Sequence, residues 1–185
     1  ERGRASYERS AWSDAYDALP RADLADPLVL VDIRRLGTAA FLVGRQLEYE
    51  EYFERLHRAE LAQGERASAA RSAFWISMSL LFRGEGAQSN AWVSRAQRLV
   101  EDIDCVEQGY VIMPASERHI REGRTAAAIS IATAAEGIGE RFGDKDLVAM
   151  ARHVHGRAMI EQGEVHAGLA LLDETMLPVV AGELS

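Results

Sequence analysis

The chain has 185 residues, 48% hydrophobic and 27% charged, and its 29 acidic and 21 basic side chains give a net charge of −8 at pH 7. This is the size and composition of one ordinary globular domain or a short repeat array, and it excludes a disordered or collagen-like chain. The acidic balance is the reverse of what a phosphate-neutralising surface carries, so direct contact with nucleic acid is not expected. The longest apolar run, Ala73 to Phe82, stops at Arg83, well short of the roughly 20 residues of a membrane span, so no membrane partner is expected. The single cysteine, Cys105, cannot close an internal disulfide. No oxidising compartment is implied, and a cytoplasmic location is the expectation. The chain opens at Glu1 with neither methionine nor an apolar leader, which reads as a fragment of a longer multidomain protein.

In chain order the pattern is helical throughout. Only four prolines occur, the alternation expected of strands is missing, and apolar residues recur three and four apart. Leu42, Leu47, Tyr49, Phe53, Leu56 and Leu61 form one such series, and Trp92, Ala96, Leu99, Val100 and Ile103 another. Breaks are predicted at Pro20 to Pro27, near Gly44, Gly64, Gly84 to Gly86, Asp102 to Asp104, Gly123, Gly143 and Gly163, where Gly, Pro or Asp interrupts the pattern. Nine or ten helices of about two to five turns result. Pro114 removes a helical hydrogen bond and is expected to kink or divide the helix between Val106 and Arg121.

Four of the break glycines, Gly44, Gly84, Gly123 and Gly163, are spaced by 40, 39 and 40 residues. Seven positions before them stand the small residues Gly37, Ser77, Ser116 and Gly156, and three before stand Phe41, Leu81, Ile120 and Ile160. Five positions after them come Tyr49, Ser89, Ala128 and Gly168, and nine after come Phe53, Val93, Ala132 and Leu172. A partial fifth unit precedes them, with Ser10 in the turn, Gly3 seven before it, Tyr7 three before and Ala15 five after. Such recurrence is what a helical hairpin repeat requires: a first helix, a tight turn, and a second helix packed through small side chains. The spacing matches the tetratricopeptide unit, although 34 residues is standard there and these units are five or six longer. The predicted fold is therefore all-α, a tetratricopeptide-like α-solenoid of antiparallel hairpins with about 4.5 repeats of 34–40 residues, forming a single domain over residues 1–185.

Several stretches carry a further resemblance. Ala73-Phe74-Trp75, Asp104 to Tyr110 (DCVEQGY), Glu140 to Asp144 (ERFGD), Gly168 to Glu174 (GLALLDE) and Ala181 to Ser185 (AGELS) resemble the long tetratricopeptide region of actinobacterial LuxR-type transcriptional regulators. The resemblance covers nearly the whole chain, and its motifs are packing motifs. It implies a sensor or scaffold segment of such a regulator, with the DNA-reading helix-turn-helix elsewhere, since nothing in this sequence matches that element or a Walker loop.

Chemistry-bearing constellations are weak by comparison. His153 and His155 lie two apart, about 200° around a helix, and cannot share one metal ion as an i, i+4 pair can. Gly137, Gly139 and Gly143 fall near the end of a predicted helix rather than between a strand and a helix, which argues for close packing over phosphate binding. Cys105 reads as a small core residue, and Glu48, Glu50, Glu51 and Glu54 read as a solvated face. No catalytic activity, metal or cofactor is expected. The informative surface is the one lined by first helices, where residues ten and six before each turn glycine are expected to face a concave groove. They are Arg34, Phe74, Met113 and His153, then Thr38, Met78, Glu117 and Arg157. Apolar anchors beside Arg, Glu and His suit a protein, a peptide or a small effector, while Phe74, Met78 and Met113 at helical spacing read equally well as core. On the last helix Leu169, Leu172, Met176 and Val179 form an apolar stripe, and self-association through this C-terminal hairpin is expected.

Overall fold

The computed structural model describes residues 1–184; Ser185, which closes the last of the resembling stretches, lies outside the described residues. Ten α-helices follow in order: α1 (Arg2–Glu8), α2 (Trp12–Ala25), α3 (Leu30–Leu42), α4 (Gln46–Ala62), α5 (Arg66–Phe82), α6 (Gly86–Val100), α7 (Glu107–Arg121), α8 (Thr125–Phe142), α9 (Lys145–Glu161) and α10 (Val165–Val180). They form two compact units, residues 1–99 and 100–185. The architecture is the expected one of helical hairpins.

Each hairpin turn closes by the same local device. Gly44, Gly84, Gly123 and Gly163 have φ of +81°, +85°, +71° and +94°, a left-handed conformation that glycine adopts without steric cost. The residue after each glycine then donates its N–H five positions back, as Arg45 does to Ala40 (2.8 Å) and Glu164 to Met159 (2.9 Å). This satisfies carbonyls that a helix end would otherwise leave unpaired. In the first hairpin, Ser10 occupies the turn at φ +58°, a conformation uncommon for a residue with a side chain.

Packing between the two helices of a hairpin explains the repeated small residues. In the unit of residues 1–99, a Cβ on Gly3 would stand 2.8 Å from Leu19, and one on Gly37 would stand 2.7 Å from the Phe53 ring. In the unit of residues 100–185, a Cβ on Gly156 would meet Leu172 at 2.9 Å. All three pairs join the position seven before the turn to the position nine after it, so one large side chain fills the space above one small one. Ser77 and Ser116 occupy that small position fully buried, with their hydroxyls donating to Phe74 and Met113 carbonyls at 2.7 and 2.6 Å. A buried hydroxyl is tolerated because its helix supplies the acceptor.

The core of the first unit gathers Ile33, Ala40, Tyr49, Phe53, Leu56, Ile76 and Leu80. That of the second is built on small residues, with Ala128, Ala132, Ala135, Ala151 and Ala158 buried beside Tyr110, Leu147 and Val154. Short side chains let α7, α8 and α9 approach closely: a Cβ on Gly109 would lie 2.4 Å from Leu147. Two expectations about proline are corrected. Pro20 lies inside α2, and the break begins at Asp26. Pro114 is buried inside α7, which runs undivided from Glu107 to Arg121; the cost of one lost hydrogen bond is borne where the ring is buried in the core.

Candidate functional site

The first helices carry the residues expected in the groove, and the two units treat them differently. On α3 of the first unit, Arg34 and Thr38 are half-buried, whereas Phe74 and Met78 on α5 are buried at 1% and 8% exposure. On α7 of the second unit, Met113 and Glu117 are buried, and on α9 Arg157 is half-buried while His153 is exposed. Phe74, Met78 and Met113 are therefore spent on packing, and the surface left open is polar.

That polar surface is fixed from behind. Arg34 donates from Nη2 to Glu60 Oε1 at 2.7 Å, and Glu60, on α4, accepts at its other oxygen from the Ser72 hydroxyl of α5 at 2.6 Å. The Glu60 side chain is 1% exposed and that of Arg34 39%. Burial pushes the Glu60 carboxyl above its usual range, while Ser72 and Arg34 pull it back, because removing water penalises the charged form before its partners compensate. One turn earlier on α4, His57 lies against the carbonyl of Ala69 through Nδ1 at 2.8 Å and meets the Trp92 ring edge-on at 5.2 Å. Its Nε2 has no hydrogen-bond partner among the described residues. Burial holds this imidazole below its ordinary value, so it is neutral at pH 7.

In the second unit Arg157 reaches across from α9 to α7, where Nη1 donates to both Glu117 oxygens at 2.8 and 3.0 Å. Glu117 is 8% and Arg157 35% exposed in their side chains. Sequence reasoning named both ends of this pair by register but paired neither Arg34 with Glu60 nor Arg157 with Glu117. Glu60 and Ser72 were missed because both look like surface residues of their helices. The signal available was only that each stands where an apolar residue belongs.

Elsewhere, a cavity of about 370 Å³ opens in the second unit among Gly139, Val148, Arg152, Thr175 and Pro178. Another, of about 650 Å³, lies in the first unit beside Leu28, Val31, Arg55 and Ala59. None of the eight groove residues lines either one. The described residues hold no group of three or more His, Cys, Asp or Glu placed to bind a metal, and no helix long and apolar enough to cross a membrane.

No family model matches the chain, and no curated protein matches it. Among solved structures, the chain is similar to a variant of a Podospora anserina protein described as a kinesin light chain with nearly identical TPR-like repeats. The two are 14% identical with a TM-score of 0.61, over 94% of this chain and 89% of that one. It is also similar to the MamA protein, at 15% identity and a TM-score of 0.56, over 100% and 93% of the two chains. At such identities the likeness is one of fold, and with the hairpin register it establishes a tetratricopeptide-like helical-hairpin solenoid.

Proposed function

We propose that this chain is a non-catalytic interaction scaffold, that the first helices of each unit offer a surface for a protein or peptide, and that the chain is the sensing or scaffolding segment of a LuxR-type transcriptional regulator. The binding role rests on one observation: Arg34 and Arg157 are each held by a nearly buried carboxylate while 39% and 35% of their side chains stay open. A guanidinium pre-positioned in this way loses little freedom when it also takes a carboxylate or carbonyl of a partner. The regulatory context is supported by the resembling stretches, several of which have a packing role. Gly109, Tyr110 and Asp144 lie where α7 meets α9, and Gly168 and Leu172 where α10 meets α9.

The binding role is tested by cross-linking the tagged chain to its partners in source cells. The Arg34→Ala, Arg157→Ala double variant is expected to lose a captured partner by about tenfold, and full retention would overturn the groove reading. The regulatory reading is tested on the parent coding sequence, which should encode a helix-turn-helix; a parent gene without one would overturn it. Residues 1–185 alone should show no mobility shift with duplex DNA at physiological salt, because a chain with 29 acidic against 21 basic side chains and a charge of −8 is poorly suited to neutralise phosphates and release their counterions.

A further inference from the structure

From Val31 to Leu42, helix α3 divides cleanly into an open and a closed side. Val31, Arg34, Arg35, Thr38, Phe41 and Leu42 are half-buried or exposed, and the six residues between them are buried. At 100° per residue the open positions fall within about 120° of the helix surface, so they form one stripe. The stripe belongs to the interior of the array. On its closed side Asp32 accepts from Arg4 of α1 at 2.9 Å, and Gly37 lies against Phe53 of α4. Hairpins added before α1 or after α10 would stack on those helices and leave this wall of the groove uncovered, because each repeat contacts only its neighbours.

The stripe is apolar at its ends and cationic in its middle. Val31, Phe41 and Leu42 are 51%, 53% and 47% exposed. Register alone would place Phe41 in the core, since Leu81 and Ile120, also three before a turn glycine, are 4% exposed. Leu42 replaces a charge: two before the turn, the second unit has Arg121 and Glu161. Between these ends, Arg35 and Arg4 both donate to Asp32, and Arg34 donates to Glu60. Three guanidiniums against two buried carboxylates leave one positive charge in excess, in a chain of −8 overall. Glu8, 3.8 Å from Arg35, is 67% exposed, a weak surface partner that an incoming carboxylate can replace.

We propose that the α3 stripe docks a segment of a partner protein that carries an acidic side chain between two apolar ones; this names the partner's chemistry for the binding role above and rests on it. The rise of α3 sets the spacing. From an apolar group opposite Val31, the carboxylate lies about 5 Å on, opposite Arg34 and Arg35, and the second apolar group about 16 Å on, opposite Phe41 and Leu42. A docked helix meets these points with an acidic residue three or four positions from its first anchor and a second anchor ten or eleven from it. Arg34 and Arg35 lose little freedom on binding, because Glu60 and Asp32 already hold them. Apolar contact gives the interface its affinity, and the central charge sets register and rejects a basic segment.

The test uses residues 1–185 and labelled synthetic helices of about 18 residues carrying that pattern in either chain direction, with binding read by fluorescence anisotropy. Control peptides carry Lys at the acidic position. One acidic peptide is expected to bind at least about tenfold more tightly than its Lys counterpart, a preference that Arg34→Ala with Arg35→Ala removes. Val31→Gln with Leu42→Gln, exposed changes whose helical content and melting are checked by circular dichroism, is expected to weaken it by about tenfold. Arg157→Ala, in the other unit, is expected to leave it unchanged. No binding at about 100 µM, equal binding of acidic and Lys peptides, or indifference to Val31→Gln with Leu42→Gln would overturn the proposal. So would a dimer in sedimentation that Leu42→Gln dissociates, which would give the stripe to a second copy. In the cross-linking experiment, a partner that needs Arg34 and Arg157 but ignores Val31 and Leu42 overturns this pattern alone, and a partner that ignores all four overturns the binding role as well.

Discussion

Two first-helix arginines, Arg34 in one unit and Arg157 in the other, are anchored in different ways. In residues 1–99 the Arg34 guanidinium bonds a carboxylate of the second helix, Glu60, which also holds Ser72 of the following hairpin, so one buried group joins α3, α4 and α5. In residues 100–185 the pair is confined to two first helices, Arg157 of α9 and Glu117 of α7. Removing a carboxylate therefore has unequal consequences. Without Glu60, a fully buried Ser72 hydroxyl loses its acceptor and a void opens among three helices. Without Glu117, only a half-exposed arginine is released, and water can take it. An ion pair matters here in proportion to what stays buried after it breaks.

The largest expected effect is that of Glu60→Ala, which should lower stability by about 3 kcal/mol, the low end for a broken buried pair because Arg34 can turn to solvent. Urea unfolding followed by circular dichroism measures it; a loss under about 1 kcal/mol would mean that the three-helix junction is not a structural unit. The second test addresses what the units share. Gly37→Ala and Gly156→Ala should each cost about 2 kcal/mol through overpacking against Phe53 and Leu172. Equal losses would show that the hairpin contact is common to both units, and a near-neutral result at one site would show that its neighbouring helix can shift.

Glu117→Ala should cost only about 1 kcal/mol, as expected when the surviving partner reaches water. A loss equal to that of Glu60→Ala would abolish the distinction. The smallest effect is one of pH. The folded-state value of Glu60 is raised above the ordinary 4.5, so the folded chain holds its proton more firmly than the unfolded chain. Its contribution is most favourable below about 4.5 and declines as pH rises through the folded value. Glu60→Gln removes that decline, so its stability relative to the parent chain should rise as pH increases above about 4.5 and then level off. Matched denaturant midpoints from pH 4 to 8 measure it, and a constant difference would show that Glu60 ionises in the fold as it does in water.

The hairpin architecture was legible because it is set by local rules. A left-handed turn residue must be glycine to avoid strain, a close helix approach must be glycine, serine or alanine, and both recur in register. Gly37 with Phe53 and Gly156 with Leu172 were thus predicted as positions before they were observed as contacts. Pro20 and Pro114 were misjudged for the complementary reason. A local rule says what a proline costs a helix, and only the surrounding packing says whether the helix can bear it.

By itself the sequence determined the helices, their turns, the repeat register and the apolar stripe of α10, all of which follow from periodicity and backbone conformational preference along a few residues. Tertiary structure decided between groove and core for Phe74, Met78 and Met113 in favour of core, and it alone decided that Glu60 is buried beside Ser72 and that Arg157 crosses to Glu117. Those outcomes join residues 12 to 40 positions apart. They depend on which helix stands behind each side chain, and a pattern of residue types along one helix does not contain that information.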